Sequence, residues 1–118
     1  MTSQILVLRQ RWQDSVNSHD INRVLECYNP EAIFKGTVNA DFTTSRDHIR
    51  VYFENIFKRN VSVRFIGAPK LKQFGDVYID YGDYEFCIDR KVLRAKYTFS
   101  YTGSETPRII CHTSYKTT

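Results

Sequence analysis

The stretch that decides the fold reads RDHIRVYFENIFKRN and spans residues 46–60. Its large apolar side chains recur at the spacing of one helical face, at Ile49, Tyr52, Phe53, Ile56 and Phe57. Thr44 or Ser45 can cap the start of this helix, and Asn60 can end it, because asparagine tolerates the left-handed conformation common at helix ends. Such a wide stripe of aromatic rings and isoleucines needs a broad apolar surface to pack against.

Two further helices are predicted before this stretch. Residues 3–18 are predicted to form the first helix, whose apolar stripe includes Trp12. Arg9, Gln13 and Asn17 fall outside this stripe. Asp20 is a suitable cap for a short second helix, which we expect to run through Tyr28. The Asn-Pro pair that follows should end it, because a residue before proline avoids the helical conformation. An extended segment over residues 31–36 comes next.

The second half of the chain changes to an alternating pattern that predicts strands. We expect them at residues 61–66, 70–74, 77–88, 92–102 and 108–115. Short turns join them, as in an antiparallel meander, so the fold class is α+β. Gly82 interrupts the longest strand and indicates a bend, which suits a sheet that curves around the helix at residues 46–60.

Composition narrows the possible functions. A chain of 118 residues suits a single domain over residues 1–118, and its net charge of +4 comes without a long basic run, so we expect no nucleic-acid partner. No segment has the length and apolarity to span a membrane. Neither a phosphate-binding loop nor metal-ligand spacing is present, so we expect no cofactor and no metal. Cys27, Cys87 and Cys111 read as buried reduced thiols of a cytoplasmic protein.

Four segments resemble a known family. They are YNPEA at 28–32, YFENIFKRN at 52–60, RAKYTFSY at 94–101 and IICHTS at 109–114. Together with the order of predicted elements, they resemble the nuclear transport factor 2 (NTF2)-like, or SnoaL-like, superfamily. Within it, the resemblance is strongest to the association (hub) domain of calcium/calmodulin-dependent protein kinase II and its free-standing relatives.

The resemblance implies a cone, in which three N-terminal helices pack on a strongly curved antiparallel sheet and leave a pocket at the wide end. It also implies a homodimer or higher homo-oligomer that forms through the outer face of the sheet. In kinase hubs this pocket carries arginines that bind small carboxylates. The matching positions here are Gly82, Phe99 and Tyr115, so carboxylate binding is not implied and the pocket should be aromatic.

Strand alternation sorts the residues of the predicted sheet into two faces. If Phe99 faces the helices, so does Tyr97, whereas Arg94 and Lys96 face outward. The residues expected to line a ligand pocket are Tyr28, Ile49, Tyr52, Phe53, Phe57, Tyr84, Tyr97 and Phe99. The alternative for each tyrosine is core packing, with its hydroxyl bonded to backbone or water.

Two titratable residues are candidates for catalysis. Asp80 lies on the predicted inner face, where burial can raise a carboxyl pKa and create a general base; the alternatives are a rim position or a pairing with an arginine. His112 is either a proton carrier, an interface residue or a structural histidine.

Three hypotheses of function follow. The first is a self-associating module whose cone holds a small apolar or aromatic ligand without chemistry. The second is a SnoaL-like or ketosteroid-isomerase-like enzyme with Asp80 as base and Tyr52 or Tyr84 as the donor to an oxyanion. The third is a purely structural oligomer with a filled cone, plugged by residues such as Trp12, Phe53 and Tyr97.

Overall fold

The computed structural model describes residues 2–39 and 41–117, which form three helices and six strands. The helices are α1 (Thr2–Asn17), α2 (Ile21–Glu26) and α3 (Arg46–Ile56). The strands are β1 (Tyr28–Lys35), β2 (Val61–Ile66), β3 (Leu71–Phe74), β4 (Val77–Ile88), β5 (Lys91–Thr102) and β6 (Ile109–Lys116). The helices precede most of the strands, as expected for the α+β class, and the predicted fold class is confirmed.

The predicted start of α2 is observed, but its predicted end is not. Asp20 caps α2, and its side chain accepts a hydrogen bond from the backbone of Arg23, as predicted. The prediction that α2 continues through Tyr28 is wrong, because the helix ends at Glu26. Tyr28 instead opens β1 and pairs with Ile109 of β6. Pairing with a strand far along the chain therefore overrides the local helical spacing.

Helix α3 begins where the sequence predicts and ends earlier. Ser45 is its cap and accepts a hydrogen bond from the backbone of His48. The helix ends at Ile56 rather than near Asn60, because the chain must turn into β2. The backbone N–H of Asn60 donates to the carboxylate of Asp89 at 3.1 Å, which fixes this turn.

The sheet has the strand order β1-β6-β5-β4-β2, with β3 paired to the beginning of β4. The pairs from β2 to β6 are antiparallel, as the predicted meander requires, whereas β1 joins β6 in parallel. Gly82 lies where the neighbour of β4 changes from β3 to β2, and its φ of 156° is a conformation that favours glycine. The change of pairing partner and this φ angle both fit the bend predicted at Gly82, which stays a prediction.

The inner face of the sheet holds the core. Inward residues of β5 are buried, including Tyr97, Phe99 and Tyr101, and outward residues such as Lys96 are not. Helix α3 turns its predicted stripe to the same core, with Ile49, Tyr52, Phe53 and Ile56 buried. Cys27 is buried as expected, whereas Cys87 and Cys111 are half-buried on the outer face. The alternating pattern thus predicted the two faces of β5 correctly, whereas on β6 a register shift puts Ile109 in the core with His112.

Candidate functional site

Asp80 is completely buried on the inner face, where it accepts hydrogen bonds from three side chains. Arg9 Nε donates to Oδ2 at 3.0 Å, Tyr101 Oη donates to Oδ2 at 2.8 Å, and Tyr97 Oη donates to Oδ1 at 2.8 Å. Both carboxylate oxygens are therefore engaged. This is the arginine pairing that the sequence left open as an alternative to a general base.

Arg9 reaches this carboxylate from α1. Its Nη2 donates to Tyr97 Oη at 2.9 Å, and its Cζ lies 3.7 Å from the centroid of the Phe65 ring. Burial lowers the pKa of Arg9, but the hydrogen bond to Tyr97 and the charge of Asp80 outweigh burial and hold the pKa above its ordinary value. Burial and the neighbouring Asp80 raise the pKa of both Tyr97 and Tyr101, so these phenols stay protonated. The cluster is a charge-assisted network with each polar partner satisfied.

His112 belongs to a second buried network. Trp12 Nε1 donates to Tyr28 Oη at 3.0 Å, which leaves the Tyr28 hydroxyl to donate to His112 Nδ1 at 2.8 Å. A neutral imidazole then carries its proton on Nε2, which donates to Tyr84 Oη at 3.0 Å. Burial lowers the pKa of His112 to about 3, so the ring is neutral at physiological pH. Because both ring nitrogens are bonded to tyrosines, the geometry resembles a structural histidine more than a proton carrier.

The predicted pocket residues lie in one packed core. Seven of them are buried, and their exposed fractions are at most 8%: Tyr28, Ile49, Tyr52, Phe53, Tyr84, Tyr97 and Phe99. Phe57 is half-buried and stacks on His19 with ring centroids 4.7 Å apart. The Trp12 ring lies at the centre, 5.1 Å from Phe99 and 5.8 Å from Tyr84. A ligand inside the cone would have to displace these side chains.

Two cavities at the surface are lined by neither Asp80 nor His112. One of about 280 Å³ lies between α3 and the loop after β1, and Tyr52 is the predicted pocket residue that lines it, beside Val38, His48 and Val51. Another, of about 270 Å³, lies between α1 and the turn that joins β5 to β6. The donors proposed for the enzyme hypothesis, Tyr52 and Tyr84, do not contact Asp80; its tyrosine partners are Tyr97 and Tyr101.

The interior polar groups are satisfied throughout the part of the chain that the structure describes. Each buried side-chain nitrogen or oxygen there has a hydrogen-bond partner. Within residues 2–39 and 41–117, no three His, Cys, Asp or Glu side chains come together to hold a metal ion. None of the helices in those ranges is long and apolar enough to cross a membrane. Complete satisfaction is typical of polar networks that stabilise a core rather than await a substrate.

Residues 2–99 match the sequence model of the calcium/calmodulin dependent protein kinase II association domain. The chain belongs to this association domain family. This result confirms the resemblance found from the sequence. No curated protein matches the chain.

Several solved structures have a fold similar to that of this chain. A protein from Xanthomonas campestris named for the same domain is 23% identical, with a TM-score of 0.83 over 96% of this chain and 85% of that chain. An NTF2-like protein from Streptomyces avermitilis, named as a dehydratase, is 8% identical, with a TM-score of 0.84 over 98% and 95%. An LEH-like epoxide hydrolase from M. tuberculosis is 9% identical, with a TM-score of 0.69 over 98% and 84%. At these identities the likeness concerns the fold alone.

This association domain carries its interior arginine at an unexpected place. The three positions that the resemblance pointed to hold Gly82, which lies against the Tyr97 ring, the buried Phe99, and the exposed Tyr115. The buried guanidinium comes from Arg9 of α1 instead. The prediction that Arg9 lies outside the apolar stripe of α1 is wrong, because Arg9 is buried with that stripe. Its spacing of four residues from Ile5 was the available signal.

Proposed function

We propose that this protein is a self-association module in which the outer face of the sheet binds a second copy of the chain and the filled cone serves as structural support. The observation that carries the proposal is the outer face itself. Its residues on β4, β5 and β6 are exposed or half-buried, whereas their inward neighbours are almost all buried. Membership of a family named for association supports the same function.

An apolar row crosses this outer face. Strand pairing aligns Ile33 of β1 with Cys111, Cys111 with Ser100, and Ser100 with Ile79 of β4. Tyr81 lies two residues beyond Ile79 on the same face and is 43% exposed. Strand lengths and a spacing of about 4.8 Å between strands give the outer side of the whole six-stranded sheet an area of roughly 800 Å², about what each partner of a standard-size complex buries, and β4, β5 and β6 supply about 500 Å² of it.

Charged side chains lie beside the apolar row and are paired within the chain. Lys96 lies 3.1 Å from Asp83, and Arg94 lies 3.5 Å from the same carboxylate. Glu85 is 2.8 Å from Arg64. Because these charges already have partners, a second copy can cover them without leaving an isolated ion. The polar outer face expected from the sequence therefore does not prevent self-association.

The edge strand β2 is closed to strand addition, which favours association through the face. The side-chain amide of Asn17 pairs with both backbone groups of Val63, at 2.7 and 3.0 Å. Gln13 Oε1 accepts the backbone N–H of Phe65 at 3.0 Å. Side chains of α1 thus occupy hydrogen-bonding groups that another strand would need.

A cytoplasmic location and ligand binding are further parts of the functional question. Three free cysteines suit a reducing compartment, and we include a cytoplasmic location in the proposal.

Binding of a small apolar ligand in the cone, and catalysis by Asp80, both require the packed interior to open. The filled core supports the structural role instead.

The test is the mass of the protein in solution by sedimentation velocity. The Tyr81→Glu variant adds a charge to the proposed interface, and Val51→Glu adds one to an equally exposed position of α3. We expect a dimer or larger assembly for the wild type and for Val51→Glu, and a monomer for Tyr81→Glu. A monomeric wild type, or an assembly unaffected by Tyr81→Glu, would overturn the proposal.

A further inference from the structure

The inner surface around Asp80 has a shape and chemistry that match one particular cation. We infer that Asp80, Tyr97, Tyr101 and Phe65 form a guanidinium-binding site that Arg9 occupies from within the same chain. The four residues are called the Asp80 site below. The inference goes beyond self-association, because it concerns the inner face of the sheet and a small-molecule ligand class.

Three contacts of Arg9 define the selectivity of the Asp80 site. Its Nε donates to the Asp80 carboxylate at 3.0 Å and its Nη2 donates to Tyr97 Oη at 2.9 Å, so donors on two sides of the cation are used. Its Cζ lies 3.7 Å from the centroid of the Phe65 ring. A guanidinium is planar and carries donors in a fixed fork, so it satisfies all three contacts together, whereas an ammonium ion lacks that plane.

The four side chains of the Asp80 site come from the sheet. Asp80 lies on β4, Tyr97 and Tyr101 lie on β5, and Phe65 lies on β2, where Gln13 of α1 holds its backbone N–H. The two tyrosine hydroxyls donate to the carboxylate at 2.8 Å each, and these bonds do not run through Arg9. We therefore expect removal of the Arg9 side chain to leave the carboxyl group in place beside the aromatic ring.

The Asp80 site has a route to solvent along the side chain that fills it. Asp80 itself is 0% exposed, but the Arg9 side chain is 10% exposed and connects the carboxylate to the surface. When that side chain is shortened, a small cation can enter along the vacated space. An unpaired buried carboxylate is costly, and this cost favours uptake of a matching cation. The ligand class is a small alkylguanidine, such as ethylguanidinium.

The test is chemical rescue of the Arg9→Ala variant with low-millimolar ethylguanidinium chloride, followed by thermal unfolding and calorimetric titration. We expect a saturable rise in the melting temperature of Arg9→Ala and no such rise for the wild type, whose site is filled. Ethylammonium should bind at least about tenfold more weakly, because it cannot stack and fork at once. The double variant Arg9→Ala/Asp80→Asn should lose the effect of ethylguanidinium.

Several results would overturn the inference. They are a melting temperature of Arg9→Ala that does not respond to ethylguanidinium, an equal response in the double variant, or an equal response to ethylammonium. If Arg9→Ala does not fold, Arg9→Met keeps the apolar stem and is used in the same way. The yield of refolding is then measured with and without ethylguanidinium, and equal yields would also contradict the Asp80 site.

Discussion

The two faces of the sheet place a carboxylate in different environments, buried on the inner face and partly exposed on the outer face. Two aspartates of β4 show this difference. Asp80 points inward, is fully buried and is held by one arginine and two tyrosines. Asp83, three residues later, points outward; its side chain is 27% exposed and lies between Lys96 and Arg94. They face opposite ways because side chains alternate between the two faces along a strand. Asp80 and its hydrogen-bond partners are part of the core, whereas Asp83 and its ion-pair partners lie on a surface that a second copy of the chain can cover.

This difference supports the proposed self-association through the outer face. The inner face has its polar groups bonded and its space filled around Trp12. The outer face leaves Tyr81, Val92 and Ile33 exposed. A closed interior and an open exterior suit a protein that acts by binding copies of itself.

The largest expected effect is the loss of stability at low pH, caused by a buried histidine of the inner face. Above pH 6.5 the imidazole of His112 is neutral in both the folded and the unfolded protein. Between pH 6.5 and about pH 3, His112 is protonated in the unfolded chain but stays neutral in the folded protein, where its pKa is about 3. His112 alone should therefore lower the free energy of unfolding by up to about 5 kcal/mol as pH falls from 6.5 to 3, and the carboxylates add to this loss. Urea unfolding at a series of pH values measures this loss.

The matched control for acid sensitivity is His112→Phe. This variant should be less stable at pH 7, because the hydroxyls of Tyr28 and Tyr84 lose their partner. Its free energy of unfolding should change less than that of the wild type between pH 6.5 and 5, where few carboxylates titrate. Equal slopes for the two proteins would contradict the buried neutral histidine.

A somewhat smaller effect is expected when Asp80 is replaced by alanine. The change leaves the Arg9 guanidinium buried without its carboxylate, and such losses cost about 3–5 kcal/mol. Urea unfolding at pH 7 measures the change.

The smallest effect is expected for Asp83→Ala, which serves as the control on the same strand. Solvent screens this outward carboxylate, so its removal should not change the free energy of unfolding measurably. Similar losses for Asp80→Ala and Asp83→Ala would show that the two faces do not differ as described.

The sequence predicted most of the fold because its strongest signals are local. Alternation placed Asp80 and Phe99 on the inner face, and capping residues marked the starts of α2 and α3 at Asp20 and Ser45. The family resemblance then supplied the cone around these elements.

The missed features depend on contacts between distant parts of the chain. Arg9 and Asp80 are 71 residues apart, and Tyr28 and His112 are 84 apart, so no local pattern connects them. The parallel pairing of β1 with β6 has the same character and is why Tyr28 left the predicted helix. Burial of an arginine is also against its usual preference, which favoured the wrong assignment of Arg9.

The most direct test of self-association through the outer face uses the native cysteines. Cys111 lies within the apolar row on that face, whereas Cys27 is buried and burial raises its thiol pKa to about 12. Iodoacetamide labelling over a dilution series, read at each cysteine by mass spectrometry, compares the two. We expect Cys111 to react more slowly as the protein associates, while Cys27 stays unreactive at every concentration. A Cys111 rate that is the same in the associated and the dilute protein would contradict it.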